Sequence, residues 1–99
     1  MKKISRDAYD AFMSERDFHR DNTSVTKMGN GTVWMELFNN RIARKEGSNI
    51  YISDGDYKPT ATTRDRLSAF VNISIYKGEF IINNRIRWDG KWTNINKFN

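Results

Sequence analysis

Turn-forming residues recur so often beyond the N-terminal segment of this chain that any element there must be short. Gly29-Asn30-Gly31, Asn39-Asn40, Gly47-Ser48, Asp54-Gly55-Asp56, Lys77-Gly78, Asn83-Asn84 and Asp89-Gly90 all carry glycine, asparagine or aspartate. These residues tolerate positive φ or hydrogen-bond their own backbone. Most segments between them alternate apolar with polar residues, the period of a strand with one wet face. Thr32 to Phe38 reads as a strand with Val33, Met35 and Leu37 on one side and Trp34, Glu36 and Phe38 on the other, and either side fits a core. Arg41 to Lys45, anchored by Ile42, and Asn49 to Ser53, with Ile50 and Ile52 opposite Tyr51, complete an antiparallel meander. Asn72 to Tyr76, Glu79 to Asn83 and Arg85 to Trp88 form a second one.

Helical signals sit outside these meanders. Ser5 as N-cap, Asp7 and Asp10 near the positive end, and an Ile4–Tyr9 staple predict a helix over 5–19 that buries Ala8, Tyr9, Phe12 and Met13. Asp21 to Lys27 is polar and leads to the turn at Gly29-Asn30-Gly31, where a hairpin or loop ends. After Pro59 a threonine-rich run predicts a second helix over 62–70, capped by Thr62 or Thr63, with Asp65 in the capping-box position and Leu67 and Phe70 seated on a sheet. Residues 94 to 99 are expected to fray.

A chain of 99 residues has material for one core. The expected fold is therefore one α+β domain over residues 1–99: an N-terminal helix within 1–22, an antiparallel β-meander, a short helix and a second antiparallel β-meander. Its core is expected to hold Phe12, Leu37, Ile42, Ile52, Leu67, Phe70, Ile75, Ile82 and Trp88.

Several chemistries have no support. There are no cysteines, which excludes disulfides, zinc–thiolate sites and thiol nucleophiles and fits a reducing compartment. His19, the single histidine, lies between Phe18 and Arg20 and reads as a helix-end side chain rather than a metal ligand or base. Asp54-Gly55-Asp56 lacks the alternating ligands and the closing glutamate of a calcium loop. Nothing in the sequence brings Glu36 and Glu79 together as a carboxylate pair, and the isolated glycines make no phosphate or dinucleotide loop. No enzyme activity, cofactor or metal is expected. The basic start lacks the apolar run of a signal peptide, and no stretch nears the roughly 18 apolar residues of a membrane span. The expectation is a cytoplasmic protein without a membrane partner, its three Asn-x-Ser/Thr triplets arising by chance.

The net charge of +5 is unevenly placed: residues 1 to 22 carry five Lys/Arg against five Asp/Glu, which leaves twelve against seven beyond them. Arg41, Arg44 and Lys45 flank one hairpin, Arg85, Arg87 and Lys91 accompany Trp88 and Trp92 at another, and Arg64 and Arg66 sit on the short helix beside Thr62 and Thr63. Cations that neutralise phosphates and rings that stack on unpaired bases together suit RNA or single strands. Strand alternation alone also demands a polar face, and charged edges prevent aggregation, so the same residues have a plain structural reading. An acidic protein surface would use them too, since arginine and tryptophan are enriched at interface hot spots.

The segments Asn22-Thr23-Ser24-Val25, Leu37-Phe38-Asn39-Asn40-Arg41-Ile42-Ala43, Tyr51-Ile52-Ser53, Thr62-Thr63-Arg64-Asp65-Arg66-Leu67 and Trp88-Asp89-Gly90-Lys91-Trp92 resemble a family of small bacteriophage-encoded accessory proteins of largely unassigned function. The resemblance covers Asp21 to Trp92 and implies a phage origin and a shared fold but no activity by itself; many small phage proteins of this kind act on host machinery, and the expected setting is the host bacterial cytoplasm. Charge and resemblance together lead to the expectation of a non-enzymatic phage accessory protein that binds nucleic acid, antagonising a host defence factor such as an RNA-processing toxin. The alternative is a protein-only inhibitor that occludes a host enzyme. Self-complementary edge strands leave room for a homodimer.

Overall fold

Helix α1 runs over Lys3–Met13 in the computed structural model, which describes residues 1–99. It starts before and stops well short of the span expected from the sequence. Ser5 does not cap it: the residue is buried, and its hydroxyl donates to Asp65 and accepts from Arg66. The helix ends in a Schellman turn, where the Arg16 amide donates to Ala11 and the Glu15 amide to Phe12. Glu15 holds φ at +56° in the position usually given to glycine, so the stop signal is absent from the sequence.

The chain released by that turn forms strands where a helix end and then a hairpin or loop were expected. Phe18–Arg20 is β1 and Thr23–Lys27 is β2, followed by β3 (Val33–Leu37), β4 (Asn40–Glu46) and β5 (Asn49–Ile52) in one antiparallel meander. His19 is thus an exposed strand residue rather than a helix end. The Asp21–Lys27 segment is polar yet half-buried, because Thr23 and Val25 alternate inward as threonine and valine do in strands. The β3–β4 connection turns through Phe38 and Asn39, both at positive φ, one residue before the expected Asn39-Asn40.

Helix α2 spans Ala61–Leu67 and is capped by Thr60, whose hydroxyl accepts from the Thr63 amide at 3.2 Å. Strands β6 (Ile73–Tyr76), β7 (Glu79–Ile82) and β8 (Ile86–Trp88) make a separate three-stranded antiparallel sheet. Strand β9 (Thr93–Asn94) then returns to pair with β5, giving the first sheet the order β1-β2-β3-β4-β5-β9. Residues 94–99 are tied down rather than frayed: Ile95–Phe98 forms a 3₁₀ turn, Phe98 is buried, and its carbonyl accepts from Asn83 Nδ2 at 2.9 Å.

The fold is α+β, as its patterning predicts, and the inner faces of both sheets share one apolar cluster with α1 and α2. Phe12, Leu37, Ile42, Ile52, Leu67, Ile82 and Trp88 are buried in it, while Phe70 and Ile75 pack against it partly exposed. Tyr9 and Phe12 meet the Phe70 ring edge-on at 5.1 and 5.2 Å, which docks α1 on the chain leaving α2.

Candidate functional site

Pairing register decides what the first sheet shows to solvent. Val33, Met35 and Leu37 face the core, so Trp34 and Glu36 face outward, and the row across the outer face reads Thr26, Trp34, Arg44, Tyr51, Asn94. A bulge adds a second cation to that face. Met35 pairs with Ala43 but Glu36 pairs with Arg41, so Ile42 is an extra residue in β4. Ile42 and Ala43 are both buried as a result, and Arg41 and Arg44 both point outward.

These side chains form a ladder of alternating cations and rings. The Arg41 guanidinium lies 3.9 Å from the Trp34 ring centre and the Arg44 guanidinium 4.3 Å from Tyr51, with Arg44 also 5.8 Å from Trp34 and 5.2 Å from Trp92. Trp92, placed by the chain entering β9, meets Trp34 edge-to-face at 5.9 Å and stays 41% exposed. The guanidinium groups have carboxylate neighbours as well as rings. Glu36 is 3.8 Å from Arg41 Nε, and Glu46 is 2.8 Å from Arg44 Nε without the alignment of a hydrogen bond, so that buried nitrogen has no acceptor. Beside the ladder, Trp34, Glu36, Arg41, Asp56 and Trp92 line an open depression of about 350 Å³.

The other sequence candidates lie elsewhere. Lys45 belongs to the inner face: its ammonium pairs with Glu15 past the end of α1 at 2.7 Å, and Lys27 reaches the same carboxylate at 3.3 Å. Lys45 first, then Lys27, holds the Glu15 carboxyl below its usual range. Arg64 is half-buried on α2. Arg66 is not a surface cation at all, being 4% exposed and donating to Thr23 Oγ1 at 2.8 Å, Ser5 Oγ at 2.9 Å and Asn22 Oδ1 at 3.2 Å. Arg85 is exposed in the β7–β8 connection, and Arg87 on β8 pairs with Glu79, which raises its pKa. Lys91 is exposed in the loop before β9.

The fold therefore brings Arg41, Arg44 and Trp92 together at the first sheet, whereas Arg87 belongs to the second sheet and Arg85 to its β7–β8 connection. Trp34 and Tyr51 complete the ladder although neither stood out by spacing to a cation. Their signal was the strand alternation itself, which set Tyr51 opposite Ile50 and Ile52 and left the side of Trp34 open. No three His, Cys, Asp or Glu side chains converge as metal ligands, and no helix is long and apolar enough to cross a membrane.

A family model described as Kyanoviridae Gp96 protein matches residues 1–98. No curated protein and no solved structure matches the chain.

Proposed function

The chain belongs to the Kyanoviridae Gp96 family, a family of phage proteins, and from that premise and the outer face of its first sheet we propose a non-enzymatic phage accessory protein that binds single-stranded nucleic acid, RNA favoured. The observation that carries this reading is the ladder of Arg41, Trp34, Arg44, Tyr51 and Trp92 on one open sheet face. Rings on an open sheet accept stacked bases, and guanidinium groups beside them accept the connecting phosphates. Glu36 meets Arg41 only at 3.8 Å, and the closer partner of Arg44, Glu46, is half-exposed, so phosphate oxygens can replace those carboxylates without dismantling the ladder. Arg87 on the second sheet and Arg85 in its β7–β8 connection extend the same chemistry as secondary contacts. Its biological setting in this reading is interference with a host defence factor, such as an RNA-processing toxin, through the shared nucleic acid.

The test is fluorescence anisotropy of a labelled single-stranded RNA against the protein over a range of salt. Binding should weaken steeply as salt rises through counterion release, and Arg41→Glu with Arg44→Glu should remove it while the fold is retained. Single-stranded DNA should bind in the same way but less tightly, and duplex DNA least. Absence of saturable binding to any single strand at low salt would sink the reading.

The second reading, a protein-only inhibitor, draws on the paired tryptophans: Trp34 and Trp92 beside arginines are the residue types that anchor protein interfaces. It predicts a single host partner retained through nuclease treatment and lost on Trp92→Ala.

A further inference from the structure

A cavity of about 270 Å³ opens between the β3–β4 turn and the start of α2, with Leu37, Phe38, Ile42 and Tyr57 as apolar lining and Asp54 and Thr63 among its polar residues. Its two aromatic walls are left bare: Phe38 is 61% and Tyr57 59% exposed. Phe38 holds φ at +50° in its turn, and Asp56, which precedes Tyr57, holds φ at +65°. Positive φ is unfavourable for a bulky residue, so the backbone is strained where it presents the Phe38 ring.

Asp54 is held in place from two sides. Its Oδ1 accepts the Asp56 amide at 2.8 Å, and its Oδ2 lies where a side chain on Gly90 would stand, a methyl group there meeting it at 2.0 Å. Only glycine permits that approach, and Gly90 has φ at +80° besides. No lysine or arginine forms an ion pair with Asp54, and Lys58, next to Tyr57 in the chain, does not line the cavity. Burial pushes its carboxyl up against the opposing Asp56 amide, and the like-signed charges of Asp56 and Asp89 add to that rise. A negative group without a counter-ion therefore lines an apolar, aromatic-walled cavity on a protein that is basic overall.

We propose that this cavity is a recognition pocket for an arginine side chain of a partner polypeptide, its guanidinium paired with Asp54 and its stem laid against Phe38 and Tyr57. The sign of the charge excludes a phosphate. The apolar lining suits a methylene stem, and aromatic faces suit a flat, weakly hydrated guanidinium better than a compact, strongly hydrated ammonium. The pocket is built from different residues than the arginine ladder, sharing only Asn40 with the depression beside it, and does not rest on the nucleic-acid reading.

The test is a titration of the isotope-labelled full chain with N-acetyl-arginine amide, followed by amide chemical shifts, with the citrulline and lysine analogues as controls. Saturable shifts should centre on Leu37, Phe38, Tyr57 and Thr63, with affinity at least about tenfold weaker for the neutral citrulline probe. Asp54→Asn, which keeps the acceptor for the Asp56 amide, should weaken arginine binding by a similar factor, and Tyr57→Ala, at an exposed position, by about threefold. Trp92→Ala should leave the pocket shifts unchanged. Equal binding of arginine and citrulline probes, preference for the lysine probe, or no saturable shift at these residues would overturn the proposal.

Discussion

Arg66 and Arg44 are the same residue in two opposite situations. Arg66 is enclosed where α1, β2 and α2 meet, with Thr23, Ser5 and Asn22 as acceptors and Asp65 as counter-charge. Burial pulls its pKa down, against the opposing effect of Asp65 and Asp21. Arg44 lies on an open sheet among Trp34, Tyr51 and Trp92, with its buried Nε unmatched. A guanidinium whose donors are answered from three elements fixes the fold, because removing it unpairs the buried Asp65 charge and takes a hydrogen bond from Thr23, Ser5 and Asn22 at once. One on an open sheet whose carboxylate partner, Glu46, is half-exposed can exchange that partner for a ligand. Position in the sequence does not separate the two; the acceptors within reach do.

The largest expected effect breaks the enclosed case. Arg66→Ala should lower unfolding stability by about 3–5 kcal/mol in urea titrations, because Asp65 is left buried without its cation. A loss below about 1 kcal/mol would mean that water satisfies the site and that Arg66 is no different in kind from Arg44.

Acid probes the same junction through Asp65. Burial raises this carboxyl, but the Ser5 hydroxyl, the Lys2 amide, the N-terminal ammonium and the Arg66 charge together outweigh burial and hold it below 3.8. Since the folded value lies below the unfolded one, the contribution to stability is complete above pH 3.8 and is lost as pH falls through the lower folded value. Asp54 has the reverse sign: its raised carboxyl disfavours the folded state at neutral pH and that penalty disappears on acidification. Unfolding midpoints measured from pH 6 down to pH 2 should therefore fall more steeply in Asp54→Asn than in Asp65→Asn, which is weakened at neutral pH and has a flatter acid limb. Parallel limbs in the two variants would remove Asp65 from the junction.

The ladder should respond with smaller changes in stability and larger ones in binding. Arg44→Ala should cost about 1–2 kcal/mol, since its partly buried guanidinium meets three rings and Glu46, while removing most single-strand affinity in the anisotropy assay. A stability loss as large as that of Arg66→Ala would make the ladder a structural brace, and the binding proposal would lose its carrier.

How far the sequence announces these roles depends on distance along the chain. The alternation of Val33, Met35 and Leu37 with Trp34 and Glu36 is local, as are the turns at Gly47-Ser48 and Lys77-Gly78, and from them the two meanders and the α+β class can be read. The shortfall lies where a distant partner decides. Ser5 has the chemistry of a cap, but Asp65 and Arg66 claim its hydroxyl from the other end of the chain. Glu15 ends α1 without a glycine, which hides β1 and β2. The ladder was half legible: Arg41, Arg44 and Trp92 stand out as basic and aromatic, whereas their meeting with Trp34 and Tyr51 needs the bulge at Ile42 and the late return of β9.

Lys45 supplies the smallest expected effect and a third case between the two arginines. It is a cation with an ion partner, its side chain only 14% exposed, but that partner, Glu15, is 37% exposed and shared with Lys27. Water screens such a pair and competes for both ends, so the depressed Glu15 carboxyl does not translate into appreciable stability. Glu15→Gln should leave the urea midpoint unchanged at physiological salt and shift it only slightly at low salt, where screening is weaker. A clear loss at high salt would show instead that the low exposure of Lys45 governs the pair, and that enclosure of one partner is enough to give a surface cation the structural weight of Arg66.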